Sequence, residues 1–378
     1  MAEETPKDRM RQAMALGRPG RVPVMCQMSL GHILLQTGLP PLEFWFDRNC
    51  FAEGLLRMRA LYEFDGILIS LHGHRDDWRK GLREWRPGEA EDEARWADGS
   101  RTFFPRDDLP RHIPPVEGRR PSIRSFDPES IPDRPVYIPV SQGLRFPIDP
   151  DRPLAVHEDL VGRAGKRFSI HGEVTSPLDY FLDLFGFAEG FLALAEEPER
   201  SKAVLGRLAE SLAGLAAAQA GLGLDAVKIS SPYAGARFIS PRYYKEFVLP
   251  FEARIASAVL DRGGFVYTHT CGAVGDRLEF MAEAGVSGLE CLDPPPLGDV
   301  DLAEAKTRVG GRLFIKGNVD PVHTLLRGPL PAIEADVRAR LAAGAPGGGY
   351  ILSTACSIAP ATPRAHVQAL SALAAEIS

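Results

Sequence analysis

The sequence predicts an α/β fold of the (β/α)8 or TIM-barrel kind, and three observations predict it. Eight short apolar runs, beginning near Val22, Gly66, Arg167, Asp225, Phe265, Gly288, Arg312 and Tyr350, read as buried strands. Most are followed by a stretch with apolar positions at helical spacing, the alternation that builds parallel sheets. The chain has 378 residues, enough to close such a sheet on itself. No internal repeat and no domain boundary stand out, so residues 1–378 are expected to form one domain.

Taken in order, Lys7 to Met14 is a charged amphipathic start, and Val22-Pro23-Val24-Met25-Cys26-Gln27-Met28 reads as the first strand. Leu42 to Tyr62 has helical periodicity, and Gly66-Ile67-Leu68-Ile69-Ser70 is the second strand. Between about 75 and 153 the pattern fails. Twelve prolines stand from Pro105 to Pro153, which rules out a long helix there. Trp78, Trp85, Trp96, Phe103, Phe104, Tyr137 and Phe146 are nevertheless available to pack, so this Pro-rich stretch is expected to be an ordered insertion after the second strand. It lies over one end of the domain, as a lid or as a surface cover.

Strands resume at Arg167 to His171, followed by a helical block from Phe187 to about Gly221 and a strand at Asp225 to Ser230. Ser240 is a helix N-cap with Pro241 at the first helical position, and that helix runs to about Asp261. A strand at Phe265 to His269, a helix near Gly275 to Ala284 and a short strand at Gly288 to Cys291 come next. A helix over Leu302 to Thr307, a strand over Arg312 to Gly317, a helix over Leu330 to Ala342, a strand over Tyr350 to Ser353 and a helix over Pro363 to Ile377 complete the chain.

The charge balance is 44 basic against 50 acidic residues, a net charge of −6, which argues against nucleic-acid or anionic-membrane partners held by a basic surface. No run approaches the roughly eighteen apolar residues needed to span a bilayer, and the acidic start is unlike a leader segment. A soluble, cytoplasmic protein is expected. Cys26, Cys50, Cys271, Cys291 and Cys356 are odd in number and far apart, as suits free thiols in a reducing compartment better than a disulfide framework.

The chemistry concentrates at Val266-Tyr267-Thr268-His269-Thr270-Cys271-Gly272. In an extended segment residues two apart point the same way, so the His269 imidazole and the Cys271 thiol leave the strand end together. Zn²⁺ takes N and S donors, and a catalytic site uses three protein ligands so that a fourth position stays open. A His-x-Cys pair alone also fits a packed histidine beside a buried cysteine. In a barrel, function sits where strands end at the C-terminal face, and Cys356, just past the last strand, opens on the same rim. His269, Cys271 and Cys356 are therefore the expected zinc ligands.

These pieces, together with Ile239-Ser240-Pro241 through Phe247-Val248-Leu249-Pro250, Gly317-Asn318-Val319-Asp320-Pro321 and Gly348-Gly349-Tyr350-Ile351-Leu352-Ser353, resemble the uroporphyrinogen decarboxylase superfamily. Within it, the chain looks like the zinc-dependent, corrinoid-linked methyltransferase branch, which includes methylcobalamin:coenzyme M methyltransferases and O-demethylase components. The resemblance implies a (β/α)8 barrel whose zinc is held by His269, Cys271 and Cys356. It also implies methyl transfer between a small methylated substrate or thiol and a corrinoid. The decarboxylases carry an arginine-containing stretch after the first strand, whereas this chain reads Met25-Cys26-Gln27-Met28-Ser29-Leu30-Gly31-His32. No Asp-x-His-x-x-Gly corrinoid signature is present either, because Asp320-Pro321-Val322-His323 has the wrong spacing, so a corrinoid would arrive on a partner protein. A homodimer is compatible with this reading. The alternatives are a non-catalytic barrel that binds zinc, a corrinoid or a tetrapyrrole, and a decarboxylase.

Further candidates carry two readings each. Glu173, after the third strand, and Glu290, ending the sixth, are fourth zinc ligands or proton acceptors, or else ordinary polar groups of the rim. His72, with His74, touches substrate or caps the insertion. Asn318 and Asp320 are candidates for cofactor binding, while Asp320 before Pro321 equally suits a helix N-cap. Lys228 is a barrel-interior ion pair or an anion contact, and Cys291 reads as a buried thiol.

Overall fold

The computed structural model describes residues 4–116, 118–140 and 144–377. Its strands in chain order are β1 Gly66–Ile69, β2 Leu82–Arg86, β3 Glu91–Trp96, β4 Arg101–Pro105, β5 Arg111–Ile113, β6 Tyr137–Pro139, β7 Arg145–Pro147, β8 Ser169–Thr175, β9 Ala226–Ser230, β10 Phe265–Thr270, β11 Gly288–Cys291, β12 Phe314–Val319 and β13 Tyr350–Thr354. Seven of them, in the order β1-β8-β9-β10-β11-β12-β13, form one curled parallel sheet with helices packed outside, like a TIM barrel. Such strands are buried on both faces, which is why apolar residues recur along them without a strict alternation.

The expected first strand is corrected. Val22 to Met28 is extended but makes only two isolated parallel bridges, Val24 with Leu352 and Met28 with Ile358. Pro23 has no N–H to give to a ladder. Its carbonyl accepts from Leu352 N at 2.9 Å, while the Val24 carbonyl accepts from Asp65 N at 2.8 Å. The Val24 N–H is taken by the Asp65 carboxylate at 2.8 Å. The segment thus touches both edges of the seven-stranded sheet without being a regular strand.

The helix Pro6–Met14 closes one end of the sheet. Thr5 caps it, and Lys7 N donates to the carbonyl of Arg167, just before β8. Met10, Ala13 and Met14 pack on Met25, Leu68, Tyr267, Phe314 and Ile351 in a small core of their own. Arg9 with Asp65 and Arg11 with Asp225 bind the helix to the strand starts at 2.8 and 2.9 Å. The strand starts are therefore plugged, and only the strand ends remain open to chemistry.

Residues 75–153, expected as an ordered insertion without a regular pattern, contain two small sheets. β2 to β5 form an antiparallel sheet, and β6 with β7 a two-stranded one. Their alternation is masked because β3 buries Asp92 with Ala94 and β4 buries Thr102 with Phe104. Phe46, at the end of the helix Pro41–Phe46, fastens this layer to the barrel. Its ring lies 5.1 to 6.0 Å from those of Trp78, Trp96, Phe104 and Phe146. Aromatic pairs at such distances contribute roughly 0.5–1.5 kcal/mol each beyond their burial. The chain also comes close at Gly31, where a Cβ would stand 2.5 Å from the Asp107 backbone.

The outer helices follow the sequence with breaks. Leu42 to Tyr62 divides at Asp47, whose side chain caps Arg48–Tyr62. The block after Phe187 divides at Glu197-Pro198, and Pro241 to Leu260 divides at Val248. Three helices have no counterpart in the sequence reading: Leu30–Thr37, Ala155–Ala164 and Pro177–Phe185.

Candidate metal centre

β10 and β11 build the site. His269 pairs in register with Glu290 and also with Ser230 of β9, so all three stand at one level near the strand ends. Nε2 of His269 lies 3.3 Å from the Cys271 sulfur and 3.9 Å from that of Cys356, and the two sulfurs are 3.8 Å apart. Three residues distant in sequence thus meet in one small triangle. Donors on a tetrahedral ion bound at about 2.0–2.3 Å stand about 3.3–3.8 Å apart, so the triangle fits zinc. His269 is nearly buried, while Cys271 and Cys356 are part-exposed.

Glu290 stands behind the histidine. Its Oε2 accepts from Nδ1 of His269 at 2.9 Å, and its Oε1 meets the Lys316 ammonium. Lys228 lies 3.7 Å from the same carboxylate and 2.7 Å from Oε2 of Glu173. Burial would raise the Glu290 carboxyl, but Lys316 and Lys228 hold it well below the usual carboxylate range. An ionised Glu290 can only accept, which fixes the proton on Nδ1 and frees Nε2 to ligate. Glu290 therefore lies on the far side of the imidazole from the sulfurs, as a positioning residue and not as a fourth ligand. Lys228 is resolved as a barrel-interior ion pair that also donates to Gln27 at 2.7 Å.

A cleft of about 670 Å³ reaches the neighbours of the triangle, Ser230 in register with His269 and Ser357 next to Cys356, without being lined by the three residues themselves. Glu173, Ser230, Tyr233 and Ser357, the neighbour of Cys356, line it from the barrel side. Leu109, Arg120 and Ile138 line it from the 75–153 layer. Asp179 also lines it, in the helix Pro177–Phe185 that Ser176 caps. Burial pushes its carboxyl up to about 8, although the Ser176 hydroxyl donates to it at 2.5 Å.

Other sequence candidates fall elsewhere. His72 is buried, with Nδ1 3.1 Å from the Pro153 carbonyl and its ring 5.2 Å from that of His157, and it does not line the cleft. Asn318 is fully occupied: Nδ2 donates to the Leu292 carbonyl at 2.8 Å, and Oδ1 accepts from Arg340 at 3.0 Å. Asp320 accepts from the backbone N–H groups of Val322 and His323 at 2.7 and 2.8 Å, the N-cap alternative. Asn318 is thus held by one backbone carbonyl and one arginine, and Asp320 by two backbone N–H groups.

Cys291, read as an ordinary buried thiol, lies closer to the site than expected. Its sulfur, a ring nitrogen of His269 and the Cys271 sulfur all lie within 4.8 Å of one another. It donates to Oδ2 of Asp293 at 3.3 Å, the oxygen that also accepts from Gly272 N at 2.7 Å. Asp293 was not foreseen either. The signal for Cys291 was its place at a strand end beside Glu290, but strand alternation pointed its side chain away from the site.

Over residues 154–377 the sequence matches the family model described as uroporphyrinogen decarboxylase (URO-D). A methylcobamide:CoM methyltransferase MtaA of Methanosarcina barkeri is 27% identical over 256 residues, which are 68% of this chain and 71% of that protein. A uroporphyrinogen decarboxylase of Pseudomonas aeruginosa is 31% identical over 196 residues, 51% of this chain and 52% of that protein. The fold matches a methyltransferase from Methanosarcina mazei with a TM-score of 0.73 at 21% identity, covering 99% of both chains. The matched stretch is more than half of the 378 residues and carries the whole His269, Cys271 and Cys356 triangle, so the chain belongs to the uroporphyrinogen decarboxylase family.

Proposed function

We propose that this chain is a zinc-dependent methyltransferase, moving a methyl group between a small methylated substrate or thiol and a corrinoid held by a partner protein. The observation that carries this reading is the triangle of His269 Nε2 and the Cys271 and Cys356 sulfurs, no side longer than 3.9 Å, beside an open cleft. In this proposal those three side chains hold the ion. The methylcobamide:CoM methyltransferases among the relatives support the same direction.

Bound zinc would supply Lewis acidity, keeping a thiol deprotonated at neutral pH or drawing charge from a departing heteroatom. The protein's part is preorganisation. Glu290 and the two lysines behind it fix the imidazole, and the 75–153 layer covers the cleft and limits water. The cleft is open enough, with about 670 Å³, for a small substrate and for approach by a partner. We take the whole chain to act as one domain, and its location to be the cytoplasm. Among the described residues no helix is long and apolar enough to cross a membrane.

The cleft's charge disfavours a decarboxylase of polycarboxylated substrates. Asp108, Glu173 and Asp183 line it, against the single arginine Arg120 among its described residues. Arg120 moreover donates to the Asp183 carbonyl at 2.9 Å. Metal analysis of the purified chain beside Cys271→Ser and Cys356→Ser tests the proposal. One zinc per chain, lost in both variants, together with methyl transfer between methylcobalamin and a thiol, is expected. Wild-type protein without zinc, or variants that keep it, would overturn the reading.

A further inference from the structure

The metal triangle has a third sulfur beside it, in a backbone conformation that needs a reason. Glu290 faces the barrel interior next to His269, so an undistorted strand would turn Cys291 to the opposite side. Instead Cys291 has φ 85° and Leu292 φ 57°, two consecutive non-glycine residues in the left-handed region. Such strain persists only where the surroundings impose it.

The surroundings do impose it. Asn318 donates to the Leu292 carbonyl at 2.8 Å and is itself held by Arg340. Gly317 lies against the turn so closely that a Cβ there would stand 2.8 Å from the Cys291 carbonyl oxygen. On the other side Asp293 binds the backbone of Gly272, directly after Cys271, at 2.7 Å. The braced turn returns a fully buried Cys291 sulfur to within 4.8 Å of the His269 ring and the Cys271 sulfur.

We propose that Cys291 supplies a fourth, exchangeable ligand, its third sulfur, to the ion held by His269, Cys271 and Cys356, closing its shell when no substrate is bound. A closed shell needs a ligand that can leave, and Cys291 has a second partner ready in Oδ2 of Asp293 at 3.3 Å. When a substrate thiol enters, its sulfur–metal bond forms as the Cys291 sulfur–metal bond breaks. The proton that the incoming thiol loses balances the one that Cys291 gains. His269, Cys271 and Cys356 stay bound throughout. The inference rests on the metal reading above.

X-ray absorption at the zinc edge of the full-length, zinc-loaded chain counts sulfur neighbours directly. The wild type is expected to show three sulfurs and one nitrogen, and Cys291→Ser two sulfurs with zinc still near one per chain. Adding 2-mercaptoethanol should raise the variant's count from two to three and leave the wild type at three. Two sulfurs in the wild type, or a variant spectrum identical to it, would overturn the proposal while leaving the triangle intact. Absence of zinc from the wild type would instead overturn the metal reading and this inference together. Should Cys291→Ser not fold, the wild-type sulfur count decides alone.

Discussion

Nδ1 of His269 donates to Oε2 of Glu290 at 2.9 Å, and the other oxygen of that carboxylate is met by the ammonium of Lys316. One buried charge thus sets the tautomer of the imidazole and is itself neutralised by a neighbouring strand. Outer partners of this kind orient ligating histidines, and their loss typically weakens metal binding by about 10- to 100-fold. Glu290→Gln should therefore lower zinc affinity by that factor in a chelator competition. It should also lower stability by roughly 3–5 kcal/mol, since Lys316 is left buried without its partner. An unchanged zinc affinity in the folded variant would show that His269 ligates without the charge of Glu290 behind it.

His72, His74 and His157 make stability fall in acid. All three are buried, and burial pushes His72 down to about 4 and His74 to about 3 from the ordinary 6.5. His157 is also held well below 6.5 by burial, and neither nitrogen of His74 or His157 meets a hydrogen-bond partner among the described residues. The folded values are depressed, so the unfolded chain binds protons first as pH drops. The stability from keeping these rings neutral is fully present above 6.5 and is lost as pH falls toward 4. For His72 alone the difference is about 3 kcal/mol. Urea midpoints should drop between pH 7 and 5, and His157→Leu should flatten the slope. A parallel slope in that variant would exclude His157 from it.

The parallel sheet was legible because strands buried on both faces leave mainly apolar runs, as in Gly66 to Ile69. The triangle was legible because a period of two aligns His269 with Cys271, and strand ends share one rim with Cys356. What stayed hidden did so for local reasons. Pro23 looks apolar but cannot join a ladder, and β3 and β4 bury Asp92 and Thr102 where an apolar pattern would show. The left-handed turn at Cys291 and Leu292 is imposed by Asn318 and Gly317, residues far along the chain, and no local pattern announces it.

Asp179 gives the opposite pH trend. Burial raises its carboxyl from 3.8 to about 8, with Glu252 nearby also raised to about 7 by burial. For a carboxyl whose folded value is raised, the folded chain holds the proton longer. Its contribution is greatest below 3.8 and is lost as pH climbs through 8. Relative to Asp179→Asn, which mimics the protonated form, the wild type should lose several kcal/mol between about pH 5 and 9, against the opposite trend of the histidines. Denaturation curves at the two pH values check this, and no such relative loss would mean that Asp179 is ionised in the folded chain.

Arg277 is fully buried, and its charge is spent on backbone. Nη1 donates to the Ala234 carbonyl at 2.7 Å and Nη2 to that of Ile239 at 3.0 Å, while Nε pairs with Asp276 at 2.8 Å. These bonds pin Ala234 and Ile239 in the loop that follows Tyr233, which lines the cleft. Lysine has the charge but not the planar fork, so it cannot serve both carbonyls and the carboxylate at once. Arg277→Lys should leave a buried carbonyl unsatisfied, at a cost of about 1–3 kcal/mol for that group. The same change frees the loop, so hydrogen exchange over residues 231–239 should speed up while exchange in β10 does not. Equal acceleration in both segments would mean that Arg277 serves global stability and has no particular hold on the cleft wall.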